Sequence, residues 1–207
     1  MESVGTRASG SRLISALTSR PFSPPIGLTY AHAGSTIILG FSNDGSRVVT
    51  ASDDDTLSFW DVSGGKRVVG PVRLESQRLF FAVDSERNRV AVSLVDGTVH
   101  LWEITTGRHI LGPLHLGSSP LALRFSPDGR WLAGGSQTEG NTVAAVKVWD
   151  ASSGELRASW PMRAWVSSLD FSADSSRLLA TDFRRYWGVW AIPSGQLLTP
   201  SSQFSEV

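Results

Sequence analysis

Apolar residues in this chain are gathered into short runs, and turn-forming residues punctuate them at close intervals. The stretch from Thr36 to Val72 shows the unit. Runs at 36–41, 47–52, 56–61 and 67–72 are separated by Asn43-Asp44-Gly45, Asp53-Asp54-Asp55 and Ser63-Gly64-Gly65. Glycine supplies positive φ, and Asn and Asp tie their own backbone into turns, so these breaks predict chain reversals. The run from Thr56 to Trp60 is rich in residues that suit a pleated surface. None of the runs has the three-and-four apolar spacing of a helix. The pattern predicts four antiparallel strands in about forty residues.

The unit recurs. LSFWDVSGG, VHLWEITTG, VKVWDASSG and WGVWAIPSG align on Trp60, Trp102, Trp149 and Trp190, which are 42, 47 and 41 residues apart. A second phrase begins at Phe41, Ala82, Phe125 and Phe171, reading FSNDGSRVV, AVDSERNRV, FSPDGRWLA and FSADSSRLL. A third, GKRVVGPVRL from Gly65, returns as GRHILGPLHL from Gly107. Blocks that hold register over one period define a repeat. Four strands in such a period describe a propeller blade, and a blade must stack on neighbours to bury both faces.

Composition narrows the function classes. The chain has 207 residues, with 19 basic and 19 acidic side chains, so no long-range positive field favours nucleic acid. It has no cysteine, which excludes disulfides, thiol nucleophiles and thiolate metal sites. No apolar run has membrane-spanning length, and Arg7, Arg12 and Arg20 interrupt any leader-like stretch. The expectation is a soluble, cytoplasmic protein without a membrane or nucleic-acid partner. His32, His100, His109 and His115 lack metal-ligand spacing, and the Asp53–Asp55 run lacks the alternating oxygens, glycine and distal Glu of a calcium loop. No phosphate loop or nucleophile elbow occurs. The residues therefore predict no metal, no cofactor and no catalytic set.

The Phe-Ser-x-Asp-Gly turn, the Asp-x-Thr turn and the Trp-Asp ending resemble the WD40 repeat over about residues 32–200. The resemblance implies an all-β propeller with four recognisable blades at about 32–73, 74–115, 116–161 and 162–200. Residues 1–31 read as a degraded, partly disordered blade remnant, because SGSRLISAL resembles DGSRVVTAS but no Trp-Asp strand follows. Residues 201–207 read as a C-terminal tail. Four blades imply an incomplete or open propeller, whose free edges invite self-association.

In the family a His, a Ser or Thr, an Asp and the Trp form a hydrogen-bonded structural tetrad. His32, Thr50, Asp54 and Trp60 occupy those positions in the first unit. The second unit keeps Asp96 and Trp102 but has Leu74 and Val92. The third has Leu116 beside an out-of-phase His115 and an insertion at 137–141. The fourth has Met162, Arg184 and Ala191 at the His, Asp and post-Trp positions. The fold implies a non-catalytic scaffold presenting loops on one face to a protein or peptide. Arg and aromatic residues favour interface hot spots, so Trp165, Arg184, Arg185 and Tyr186, with Gln77 and Arg78, are the candidate contacts. The Gly-Pro-Leu phrasing resembles bacterial arrays, which implies a sensor segment of a larger signalling protein. The alternatives are a hydrolase or lyase with a central-channel site, and a decayed fragment without independent function.

Overall fold

The computed structural model describes residues 34–138, 140, 143–199 and 202–203, all within one compact unit, residues 31–207. The remnant expected at 1–31 and the tetrad residue His32 lie outside the described residues. Four antiparallel sheets of four strands follow one another as simple meanders. The first blade comprises β1 (Thr36–Phe41), β2 (Arg47–Ser52), β3 (Thr56–Asp61) and β4 (Arg67–Arg73). The second comprises β5 (Arg78–Asp84), β6 (Arg89–Leu94), β7 (Thr98–Glu103) and β8 (His109–His115). The third comprises β9 (Pro120–Phe125), β10 (Trp131–Ser136), β11 (Ala145–Asp150) and β12 (Leu156–Pro161). The fourth comprises β13 (Val166–Phe171), β14 (Arg177–Asp182), β15 (Tyr186–Ala191) and the two-residue β16 (Ser202–Gln203). Ser202 and Gln203, in the stretch read as a tail, pair with Trp187 and Tyr186.

The repeated Ser-x-Asp-Gly phrase is a self-bonded turn between the first and second strands. Ser42 Oγ donates to Asp44 Oδ1 at 2.6 Å, and Ser46 N donates to the same oxygen at 3.0 Å. The Ser42 hydroxyl also accepts from Arg47 N at 3.0 Å, closing the loop. Ser126 with Asp128 and Ser172 with Asp174 repeat the arrangement at 2.5 and 2.6 Å. The bend needs positive φ at the next residue, met by Gly45 at 67° and Gly129 at 64°, and by Ser175 at 59° in the fourth blade. The second blade lacks the phrase and makes the bend differently. A single 3-10 turn, Ser85–Arg87, is capped by the Asp84 side chain and closed by Asn88 in the left-handed region at φ 54°.

The Gly-Pro block of the outer strands is also a packing device. A Cβ on Gly70 would lie 2.7 Å from the carbonyl oxygen of Leu57, and one on Gly112 would lie 2.8 Å from that of Val99. The outer strand approaches its neighbour's backbone too closely for any side chain at these points.

The core lies between blades rather than within them. Val49, Ala51, Leu57 and Phe59 of the first blade pack against Val90, Val92, Trp102 and Ile104 of the second. Ala91, Val99 and Leu101 meet Leu132, Trp149 and Ala151 across the next interface. Ala133, Val146 and Val148 meet Leu178, Ala180, Trp190 and Ile192 across the third. Each interface thus sets an aliphatic face of the earlier blade against the Trp-bearing face of the later one. The apolar residues at the family's His position complete these clusters: Leu74, Leu116 and Met162 are all buried in them. No core cluster among the described residues joins the fourth blade to the first, so the array is an incomplete propeller.

One buried ion pair within the second blade lies at the second interface, and its arginine reaches across to the third blade. Arg89 donates to Asp84 Oδ2 at 2.6 Å and to the carbonyl oxygens of Ala151, at 3.1 Å, and Gly129. Its guanidinium also stacks over the Phe125 ring, 5.2 Å from the centroid. The carboxylate and guanidinium retain 6% and 12% exposure, so the pair has little solvent to replace a lost partner.

Two outcomes are expected. Arg89→Met leaves Asp84 buried beside weaker partners and lowers unfolding free energy by about 3–5 kcal/mol, read from denaturant titration, with partial recovery in the Arg89→Met, Asp84→Asn double variant. The second concerns acid. Hydrogen bonds to the ionised forms, led by those from Ser42, Ser152 and Ser172, lower the Asp44, Asp150 and Asp174 carboxyls from 3.8 to about 2. Their depressed values mean the stabilisation is complete above pH 3.8 and is lost as pH falls through about 2. The melting temperature of the Asp44→Asn, Asp150→Asn, Asp174→Asn variant should therefore fall less steeply across that window than that of the wild type.

Candidate interaction surface

Each blade carries two loops toward the same rim: the connection into its first strand and the turn between its second and third. One backbone hydrogen bond ties them together in every blade. Asp53 N donates to Ser35 O at 3.0 Å, Val95 N to Gln77 O at 2.8 Å, Gln137 N to Ser119 O at 3.0 Å and Phe183 N to Trp165 O at 3.0 Å. The strand register fixes this clamp, while the side chains at its two ends vary freely.

In the first blade the clamp is braced from within. Trp60 Nε1 donates to Thr50 Oγ1 at 2.8 Å, and Asp54 Oδ1 accepts from Thr56 N at 3.2 Å and Thr56 Oγ1 at 2.6 Å. In the second, Asp96 caps Thr98 in the same way at 2.9 and 2.7 Å. Gln77 is exposed on the rim. Arg78 is already engaged: its guanidinium meets Asp53 of the first blade at 3.2 Å, with the Arg side chain only 15% exposed. That contact makes Arg78 a brace between two blades.

The fourth blade concentrates the remaining candidates. Asp182, at the end of β14, is buried and accepts hydrogen bonds from Ala164 N at 3.2 Å and from Arg184 N and Tyr186 N at 2.9 Å. This carboxylate locks both loops where the sequence register offers Arg184 in place of the family's Asp. Above it, Trp165 and Phe183 meet edge to face with centroids 6.4 Å apart, and remain 48% and 68% exposed. Arg184 and Arg185 are exposed beside Phe183, and Arg185 has φ 63°. Tyr186 is half-buried under the Arg163 guanidinium, 4.7 Å from its ring centroid. Trp165, Arg184, Arg185 and Tyr186 therefore share one loop pair, whereas Gln77 and Arg78 sit two blades away. Phe183 and Asp182 were not among the expected contacts. The only sequence signal for Asp182 is an acid at the strand end where the first blade has Ser52.

A second polar group lies between the first two blades. His100 Nδ1 and His109 Nε2 approach to 3.2 Å, and His109 packs edge-on to Trp102 with centroids 5.2 Å apart. Together with Arg73, Glu75 and Gly112 they line a cavity of about 300 Å³. Burial, then the neighbouring His109, lowers the His100 pKa below 6.5 and favours its neutral form. No group of three or more metal-ligating side chains occurs among the described residues, and a pair of imidazoles falls short of a zinc ligand set.

Comparison with known proteins agrees with this architecture. The family model of the WD domain, G-beta repeat, matches residues 24–61 and 113–143. No curated protein matches the chain. Among solved structures, a chain of the mitotic checkpoint complex aligns over 83% of this chain and 52% of its own length, at 17% identity and a TM-score of 0.66. The computationally designed Ika4 protein aligns over 78% of this chain and 93% of its own, at 23% identity and a TM-score of 0.62. The hydrazine synthase of Kuenenia stuttgartiensis aligns over 79% and 48%, at 20% identity and a TM-score of 0.62. The chain thus spans about half the length of the first and last of these, and at such identities the likeness is one of fold. The WD40 repeat model thus matches two separate regions of a chain folded as a meander of stacked four-stranded blades.

Proposed function

We propose that the chain is a non-catalytic scaffold whose fourth-blade rim docks a protein or peptide. WD40 repeats support an interaction role in general; the particular surface is our reading. The observation that carries it is the Trp165–Phe183 pair, two large rings left in solvent on a backbone that Asp182 holds rigid. Exposed rings on a preorganised loop lose little conformational entropy on binding. Arg184 and Arg185 flank them, so a partner with an apolar anchor beside acidic groups fits this chemistry. The likeness to a hydrazine synthase is one of fold and supplies no catalytic residues to this chain. No helix among the described residues is long and apolar enough to cross a membrane.

The test is affinity capture with purified protein. Arg184→Ala with Arg185→Ala, and separately Trp165→Ala, should each weaken capture of the partner by tenfold or more, corresponding to about 1.4 kcal/mol or more, with unchanged circular dichroism. Arg185 already has positive φ, so alanine meets the same backbone demand and the exchange isolates the side chain. Undiminished capture by both variants would remove the fourth-blade rim from consideration.

A further inference from the structure

The three interior interfaces share one template, and each end blade exposes one half of it. Leu179, Thr181, Trp187 and Val189 stand on β14 and β15 where the first blade has Val49, Ala51, Leu57 and Phe59. Leu179 pairs with Val189 and Thr181 with Trp187, as Val49 pairs with Phe59 and Ala51 with Leu57. Those first-blade side chains have no exposure, because the second blade covers them. Leu179 is 39% exposed, and Thr181, Trp187 and Val189 are half-buried. This is the aliphatic half of an interface, left partly in water.

The opposite half lies open on the first blade. Phe41, Val83, Phe125 and Phe171 hold one register position, each opposite the residue that pairs with its blade's Trp. Val62, Ile104, Ala151 and Ile192 hold another, two residues past that Trp, and each donates its amide to the carbonyl just before the second strand. In the second, third and fourth blades both positions belong to the clusters formed with the preceding blade, and Ile104, Ala151, Phe171 and Ile192 are buried there. In the first blade Phe41 is 47% and Val62 48% exposed. Ile38, opposite Thr50 on the same face, is 61% exposed. Apolar residues left in water at positions the other blades bury mark a contact surface.

The second interface shows what joins such halves. Arg89, the first residue of β6, stacks over Phe125 and donates to the carbonyls of Gly129 and Ala151 in the next blade. Arg177, the first residue of β14, holds the same position on the fourth blade and is exposed. The counterparts of Phe125, Gly129 and Ala151 on the first blade are Phe41, Gly45 and Val62, all exposed. We propose that the fourth blade of one copy of this chain docks head to tail on the first blade of a second copy, with the Arg177 guanidinium over Phe41. The contact rejoins an aliphatic face and a Trp-bearing face in the order the chain itself uses three times. Two fourth-blade faces set against each other would not reproduce that order. Asp170 stands on the inner strand where the first two blades have Gly40 and Ala82, and a sheet of strands about six residues long offers only roughly 20 Å by 20 Å. Both features make the contact weaker than an interior one and the association concentration-dependent.

With the full chain, sedimentation should show monomer giving way to larger species as concentration rises. Leu179→Glu blocks the fourth-blade face and Phe41→Glu the first-blade face. Both residues are already partly in solvent, so each variant alone should stay monomeric with wild-type circular dichroism. Mixed in equal amounts, the two should form a dimer, because each retains the face the other has lost. Arg177→Ala should weaken the wild-type association tenfold or more. The rim variants at Arg184 and Arg185 should associate normally, which separates this contact from the one proposed for partner capture. A wild type that stays monomeric at every concentration would overturn the proposal, whether residues 1–33 or a different protein cover these faces. So would a Phe41→Glu variant that still dimerises, the mark of a fourth-blade face paired with itself, or a mixture of the two variants that stays monomeric.

Discussion

Every blade of this protein depends on the sheet beside it. A twisted four-stranded sheet of six-residue strands has two faces and no interior of its own, so its apolar residues leave water only when another blade covers them. The packing follows that constraint at each interface: Val49, Leu57 and Phe59 are covered by Val92 and Trp102, then Val99 and Leu101 by Leu132 and Trp149, then Val146 and Val148 by Leu178 and Trp190. The period of the tryptophans is the period of these contacts. Stability is therefore close to a sum over neighbours, and the terminal faces differ in kind from the interior ones.

Polar groups in this framework hold the bends that let one blade pass to the next. The Ser-x-Asp turns at Ser42, Ser126 and Ser172 satisfy their own backbone within a few residues. Their carboxylates are held ionised by the hydroxyls and amides around them. The same logic accounts for the departures from the repeat. Where the family's His is replaced, Leu74, Leu116 and Met162 add burial to an interface, so packing takes over from the hydrogen-bonded set. Where the Asp-Gly turn is missing, the 3-10 turn at Ser85–Arg87 brings Asp84 under Arg89 and makes the bend part of the next interface.

The blades were legible in the sequence because their signals are local. Turn residues at fixed offsets and β-prone runs place the first unit's strands within a residue of those observed, at Thr36–Phe41, Arg47–Ser52, Thr56–Asp61 and Arg67–Arg73. The rim was legible only in part. Trp165, Arg184 and Tyr186 follow from the loop positions, but Asp182 does not, because its acceptance of three amides depends on two loops meeting across the sheet. Arg78 carries the opposite lesson. Its position is that of a rim residue, yet Asp53 lies one blade away and occupies it, a pairing that no feature of either segment announces. The His100–His109 contact is likewise a product of register, since Trp102 faces His109 across β7 and β8.

The division between what repeats and what does not is itself a physical consequence of the clamp. Asp53, Val95, Gln137 and Phe183 occupy one backbone position in successive blades, each donating the same amide to the loop opposite. The amide fixes the backbone, and the side chain projects from it without taking part in the bond. Selection on the fold therefore acts on the strand register and leaves that side chain free to carry charge, bulk or an aromatic ring. In the first blade the position is spent on an ion pair with Arg78, and in the fourth it supports Phe183 against Trp165. The same geometry that makes the blades alike is what allows one of them to present a surface unlike the others.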